Sequence, residues 1–321
     1  IFVDFARICK EMRGSLAIAV AQVGKRFRNE IAPRQSLLRL REFYQAEIEV
    51  FCNPDRLNDL SKFEQVKDTS LNLFTKNSLN TIKAEDAVRD GHLPNKLVAY
   101  YMSLLTLFYS KTGMIMERTR FRELSDDEKA FYASTAFDFE VETSIGWLEL
   151  VACNYRSDYD LKRHSAISKQ NLYVIDPSDN SRVLPHLFEL SMGIDRSIYS
   201  ILEHSYFEDI KAKRIVLRLV PQLAPVLLGV FPLVTKDGLR EKAQDIYSKL
   251  KLDYSTFYDE SGSIGRRYRR LEEIGAPFAL TVDNQTMKDD TVTIRYRDTM
   301  LQERVKVSEI SSFLDTIIKL K

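Results

Sequence analysis

From Leu38 to Val50 the chain alternates in chemical character. Leu38, Leu40, Tyr44, Ala46, Ile48 and Val50 are nearly all apolar, whereas Arg39, Arg41, Phe43, Gln45, Glu47 and Glu49 occupy the positions between them. In a strand, alternate residues share one face. This pattern therefore predicts a strand with one face in a core, the other showing arginines, an aromatic ring and carboxylates. The arm before it offers Arg28 and Glu30 at the same spacing, and IAPRQS between the arms reads as a turn-rich loop. A hairpin that presents Arg, Glu, Arg and Phe together suits a ligand with phosphate, an amine and a flat ring, as in a nucleotide. The plainer alternative is the solvated face of a half-buried antiparallel sheet. Phe43 between arginines favours a ligand, because an exposed ring can stack on a base and Arg offers fork-shaped donors to phosphate.

The chain has 321 residues, enough for a large core and two domains. A hydrophobic content of 44% and a charged content of 29% belong to an ordinary globular protein. The net charge is +1, so any contact with nucleic acid must come from local patches rather than bulk charge. Cys9, Cys52 and Cys153 are scattered and form no CxxC pair, which argues against a disulfide framework or structural zinc and for a reducing, cytoplasmic compartment. No apolar run reaches membrane-spanning length; Val220 to Val234 is interrupted by Pro221, Pro225 and Pro232. The chain opens at Ile1, without Met and directly in an apolar pattern, which reads as a truncation with part of the same fold upstream.

Residues 2 to 12 have helical apolar spacing, and Leu16 to Val23 begins the hairpin. From about 55 to 144 the segments read as mostly helical, an insertion between strands. IGWLELVAC, residues 145–153, is a buried strand candidate. LPHLFELSMGIDRSIYSIL, residues 184–202, passes from strand to helix. A short charged link is expected between Tyr206 and Lys213. Beyond it, RIVLRL, a helix over 239–250, PFALTVD, TVTIRYR and a last helix from about Ser308 indicate a small α/β domain.

Two further constellations carry chemistry. Glu149 interrupts an apolar strand, where a carboxylate is costly unless paired. It is either satisfied by a neighbour such as Arg156 or receives an ammonium group. Glu189 and Ser191 share a strand face, Gly193 opens a helix and Arg196 sits in its first turn, an arrangement that favours anions; simple helix capping is the alternative. His164 and His186 lack partners at metal-ligand spacing. GSIG, residues 262–265, lacks the Walker pattern and reads as a helix start. RRYRR, residues 266–270, is either a patch for RNA backbone and bases or a solvated helical face.

In order, FRNEIAPRQSLLRLREF resembles motif 2 and FELSMGIDR motif 3 of the class II aminoacyl-tRNA synthetases, and specifically the archaeal and eukaryotic glycyl-tRNA synthetase family. AQVGKRFRNE, RSDYDLKRHS, GSIGRRYRRLEEIGAPFALTVD and TVTIRYRDTMLQERVKVSEI are similar to further segments of that family. The resemblance implies an α+β catalytic core built on an antiparallel sheet over residues 1–207, with the 55–144 insertion. It also implies a small α/β anticodon-binding domain with a mixed sheet over 208–321. Motif 1, the family's main dimer element, would precede Ile1.

The resemblance also implies roles. Arg28 would hold the ATP α-phosphate, with Asn29 beside it, and Glu30 would contact the adenine side. Arg39, Leu40, Glu149 and Leu150 would complete the ATP contacts, Phe43 would stack on adenine and Arg196 would grip the γ-phosphate. Glu47, Glu149 and Ser191, with Leu190, fall at glycine-binding positions. Glu189 stands where the family binds substrate or, through ATP, magnesium. Ala152 and Leu190 depart from the family's usual glycine and proline. The implied activity joins glycine to tRNA(Gly) through glycyl-adenylate in a cytoplasmic homodimer with no membrane association. The competing reading is a non-catalytic synthetase-like nucleic-acid-binding protein, such as a polymerase accessory subunit.

Overall fold

In the computed structural model, which describes residues 1–14, 16–33, 36–177 and 179–319, the chain divides into two compact units. One comprises Ile1–Ser110 with Ile115–Ser200, the other Lys111–Met114 with Ile201–Lys321. In chain order the first contains α1 (Phe5–Glu11), β1 (Ile18–Phe27), β2 (Glu42–Cys52), β3 (Ser70–Thr75), β4 (Ser78–Lys83), α2 (Ala84–Arg89) and α3 (Lys96–Lys111). There follow β5 (Thr119–Glu123), β6 (Thr135–Thr143), β7 (Gly146–Ser157), α4 (Tyr159–Ser168), the short β8 (Val174–Ile175) and β9 (Arg182–Val183), β10 (His186–Gly193) and α5 (Ile194–Ser205), of which residues up to Ser200 count with this unit.

Eight of these strands form one sheet in the order β1-β2-β10-β7-β6-β5-β3-β4, antiparallel except where β3 meets β5. Register explains the two faces. Val50 pairs with Phe188 and Ile48 with Leu190 on β10, and those two residues sit opposite Tyr155 and Cys153 of β7. Helix α3 covers this apolar face, with the Tyr101 ring 5.8 Å from Phe188 and Tyr109 stacked 4.9 Å from Phe139. On the other face Glu47 opposes Ser191, and Glu49 opposes Glu189. Phe51 ends that row in a small core with Phe5, Ile18 and Leu187, so α1 closes one end of the polar face.

The alternation begins earlier than the strand. Leu38 closes a single helical turn and β2 starts only at Glu42, so Arg39 and Arg41 belong to the loop; positions 34 and 35 of that loop lie outside the described residues. The stretch expected to be mostly helical, 55–144, instead supplies β3, β4, β5 and β6 beside α2 and α3. Its charged strand positions hid the pattern: Arg120 and Arg122 both bind Glu140, at 2.7 and 2.8 Å, while Thr119 and Phe121 face inward.

The first strands of the second unit are β11 (Tyr206–Asp209) and β12 (Arg214–Leu217), a hairpin where a plain link was expected. Asp209 makes the turn by accepting from the Ala212 amide and Arg214 Nε, both at 3.0 Å. Then come β13 (Leu228–Pro232), α6 (Leu239–Leu250), β14 (Thr256–Tyr258), α7 (Ile264–Glu273), β15 (Phe278–Val282), α8 (Thr286–Asp289), β16 (Thr291–Tyr296), β17 (Gln302–Lys306) and α9 (Ile310–Lys319). The mixed sheet runs β14-β13-β15-β16-β17, with its first three strands parallel. Helices α6 and α9 pack on one face around Leu228, Val230, Leu280 and Val282, and α7 packs on the other around Phe231 and Ala279. Gly229 permits that second contact, because a Cβ there would lie 2.6 Å from Leu271 Cδ2. The antiparallel-dominated core and the mixed α/β unit are the fold that the sequence predicts.

Candidate functional site

A hollow of about 300 Å³ opens on the polar face of the large sheet. It is lined by Arg28, Glu30, Arg39, Leu40, Phe43, Glu47, Glu149, Leu150, Glu189, Ser191 and Arg196, drawn from segments far apart in the chain. Two residues expected with them do not line it. Leu190 faces the apolar side of β10, opposite Cys153, as strand alternation requires. Asn29 is exposed, one position along from Arg28.

One end of the hollow is cationic and aromatic. The Arg28 guanidinium sits 5.5 Å from the centre of the Phe43 ring. Its backbone amide bonds the Arg41 carbonyl at 2.9 Å, which extends the pairing of β1 and β2. Arg39 Nε donates to Glu30 Oε2 at 2.8 Å, and Arg41 Nε donates to the Glu30 carbonyl at 2.8 Å. Arg41 thus braces the arm from outside the hollow. Arg196, in the first turn of α5, donates through Nε to the Leu38 carbonyl at 3.2 Å and through Nη1 to the Glu149 carbonyl at 3.0 Å. The start of a helix beside arginines is a favourable place for anionic oxygens.

The hollow also gathers carboxylates, each held in place. Glu47 accepts from Arg26, and from Gln22 Nε2 at 3.0 Å, both on the neighbouring strand β1. Glu189 Oε2 accepts from Asn154 Nδ2 and Arg156 Nη1, both at 3.0 Å. Arg156 also grips Asp160 with two bonds of 2.7 Å. Its burial works against its charge, but Asp160 and Glu189 hold it protonated. Gln45 donates to Ser191 Oγ. Glu149 is 45% exposed rather than buried, and its partner is Arg196 at 3.4 Å, not Arg156.

Two carboxyls beneath the hollow depart from ordinary behaviour. Glu49 is only 3% exposed, and burial, followed by the Glu189 charge, pushes it up to about 9. Asp138 is raised to about 7 by burial and then by Glu149. Burial thus keeps Glu49 protonated at neutral pH, so it adds no negative charge beside Glu189.

Several lining or supporting residues were not anticipated. Gln45 follows the same alternation as Phe43 and Glu47 and could have been read from it. Gln22 and Arg26 follow the matching period of β1, a signal visible only once the register is known. Asn154, Tyr132 and Asp195 join through pairing and loop geometry; Asp195 Oδ2 accepts from the Tyr44 amide at 2.6 Å. Tyr44, expected on the apolar face, stays 47% exposed at the rim.

The remaining candidates have structural partners. His186 Nδ1 meets the Tyr155 hydroxyl at 2.7 Å, and His164 lies beside the Phe2 ring. In RRYRR, Arg267 is buried with bonds to the Pro232 and Gly262 carbonyls, Tyr268 meets Thr281, Arg269 caps the Ala212 carbonyl and Arg270 pairs with Asp259. Among the described residues no group of three or more His, Cys, Asp or Glu side chains could hold a metal ion. Glu189, the residue expected near magnesium, has its Oε2 engaged by Asn154 and Arg156. No helix among the described residues is long and apolar enough to cross a membrane.

Comparison with known proteins adds an independent finding. Residues 5–205 match the tRNA synthetase class II core domain (G, H, P, S and T), and residues 228–317 match the anticodon binding domain. The glycine--tRNA ligase of Archaeoglobus fulgidus is 35% identical over 99% of this chain and 69% of its own length. That of Methanothrix thermoacetophila is 34% identical over 95% of this chain and 67% of its own. That of Clostridium acetobutylicum is 38% identical over 99% of this chain and 61% of its own.

Proposed function

This chain belongs to the glycine--tRNA ligase family of class II tRNA synthetases, and we propose that it joins glycine to tRNA(Gly) with ATP as the driving reactant. The observation that carries the reading is that Arg28, Phe43 and Arg196 share one hollow with Glu47, Glu149 and Glu189. A nucleotide needs the first set and an amino acid's ammonium group the second.

In the first step a glycine carboxylate oxygen attacks the α-phosphorus of ATP. A P–O bond forms to give glycyl-adenylate, and the bond to pyrophosphate breaks. Arg28 neutralises charge at the α-phosphate and Arg196 at the γ-phosphate, while Phe43 stacks on adenine. Glu30, Arg39, Leu40 and Leu150 shape the nucleotide end, with Asn29 at its edge. In the second step a hydroxyl of the terminal tRNA ribose attacks the acyl carbon and AMP leaves. Positioning and charge stabilisation suffice for both steps, without a protein nucleophile.

At the amino-acid end Glu47 and Glu149 address the ammonium group, and Ser191, oriented by Gln45, adds a hydroxyl. Glu189 and the backbone at Leu190 close the floor. Glycine offers no side chain to read, so selection comes from leaving no room for a larger one. Glu189 would hold magnesium brought by the phosphates of ATP, and the ion would supply neutralisation of their charge. Residues 1–207 form the catalytic part and 208–321 the anticodon-binding part of this reading, which includes a cytoplasmic homodimer.

The deciding experiment is glycine-dependent exchange of labelled pyrophosphate into ATP by the full-length protein. Exchange that requires glycine supports catalysis. Its absence from the wild-type protein would favour the non-catalytic, nucleic-acid-binding alternative.

A further inference from the structure

The polar face of the large sheet carries a row of directly opposed residues that crosses five strands: Gln22 of β1, Glu47 of β2, Ser191 of β10, Ala152 of β7 and Asp138 of β6. Side chains opposed in this way stand on one face with neighbouring Cβ atoms roughly 4.5–5.5 Å apart. The polar members of the row are engaged. Gln22 donates to Glu47, Gln45 donates to Ser191 Oγ, and Arg122 donates to Asp138 at 3.4 Å. Ala152 is the one member whose side chain neither donates nor accepts. It is half-buried and lines the hollow beside Ser191, so its methyl group forms part of the floor. That methyl is the Cβ itself, fixed by the backbone of β7, and no side-chain torsion can swing it aside.

We propose that Ala152 is a specificity-determining residue for the amino acid, its methyl group taking the space that the α-methyl of L-alanine would need. The inference rests on the aminoacylation reading above, in which Glu47, Glu149 and Ser191 hold the amino acid. Every α-amino acid brings the same ammonium and carboxylate, so those contacts cannot tell glycine from its homologues. What differs is the α-substituent, a hydrogen in glycine and a methyl group in L-alanine. Discrimination between the two therefore falls to a group that occupies space rather than one that bonds. Ala152 is such a group, one place along the row from Ser191 and two from Glu47. Beyond it the row continues to Asp138, only 9% exposed, so an apolar substituent forced past the methyl group meets a carboxyl.

The test compares glycine with L-alanine as the amino acid in pyrophosphate exchange by the full-length protein, with kcat/KM measured for each. Ala152→Gly is expected to lower the glycine-over-alanine ratio by about tenfold or more, through a gain in the use of alanine, because one methyl group in a pocket is worth roughly 10–200-fold. The ratio is taken within one protein, so a loss of folded material in the variant does not change it. Ala152→Val is expected to raise the KM for glycine at least about tenfold, the same methyl-sized effect in the opposite sense, while the KM for ATP stays at the wild-type level. An unchanged ratio in Ala152→Gly, or an equal change for both amino acids, overturns the inference and leaves Ala152 a packing residue. A KM for ATP that rises together with that for glycine in Ala152→Val also overturns it, because the whole hollow is then distorted. Absence of glycine-dependent exchange in the wild-type protein removes the aminoacylation reading and this inference with it. Exchange with glycine in the wild type and an unchanged ratio in Ala152→Gly removes this inference alone.

Discussion

Arg196 Nη1 lies 3.0 Å from the Glu149 carbonyl oxygen and 3.4 Å from its carboxylate, joining the first turn of α5 to β7 across the mouth of the hollow. One side chain therefore orients a carboxylate proposed for glycine and carries a charge proposed for the γ-phosphate. Arg196→Ala is expected to slow glycine-dependent exchange by about 10²–10³-fold, the usual effect of removing one preorganised donor. Arg196→Lys recovers only part of it, because an ammonium cannot reproduce the guanidinium fork. A loss smaller than tenfold in the alanine protein, with circular dichroism unchanged, removes Arg196 from this role.

Arg28 is placed against Phe43 at the phosphate end, and its side chain faces solvent rather than a core. Arg28→Ala is expected to abolish exchange while tRNA affinity, measured by filter binding, stays nearly intact. Unchanged exchange excludes Arg28 from the α-phosphate contact.

Glu49 makes stability depend on pH in an unusual direction. Burial is the main cause of its elevated pKa of about 9; the charges of Glu189, Glu47 and Asp160 add to it, and Arg156 opposes it. Between the ordinary carboxyl value of 4.5 and about 9 the folded chain keeps a proton that the unfolded chain has released. Stability from this group is therefore highest below that window and falls as pH rises through it. Glu49→Gln has no such slope. Its advantage over wild type should grow by about 4 kcal/mol from pH 5 to pH 8. Urea unfolding at several pH values measures it, and a constant difference between the two proteins would falsify the assignment.

In the second unit, Arg297 is buried and its Nη1 donates to the carbonyls of Leu217, Leu219 and Gly275 at 3.0, 2.9 and 2.8 Å. Arg297→Met strips three carbonyls of their donor and is expected to cost about 3–5 kcal/mol. A shift in the unfolding free energy below about 1 kcal/mol, the size of a single ordinary hydrogen bond, would show that water replaces the guanidinium.

Much of the site was legible in one dimension. The period of two over β2 assigned Phe43, Glu47 and Glu49 to one face, and the passage FELSMGIDR placed Glu189, Ser191 and Arg196 at a strand-to-helix turn. These are local signals, because side-chain direction follows directly from backbone period. Motif resemblance then named the chemistry before any contact was visible. Where local signals were weak, the reading failed: strands β5 and β6 carry charges within their pattern, and only the Arg120, Arg122 and Glu140 pairing explains them.

By itself, then, the sequence determined which side chains share a face, which segments turn and which family chemistry they serve. Only the tertiary structure decided which carboxylate each arginine meets. Glu149 was open to pairing with Arg156 by proximity in sequence, yet β10 pairs with β7 and carries Glu189 to Arg156 instead, leaving Glu149 for Arg196. The reason is that strand pairing and register are set by burial of the apolar face over the whole sheet. The polar partners on the opposite face are whatever that register brings together.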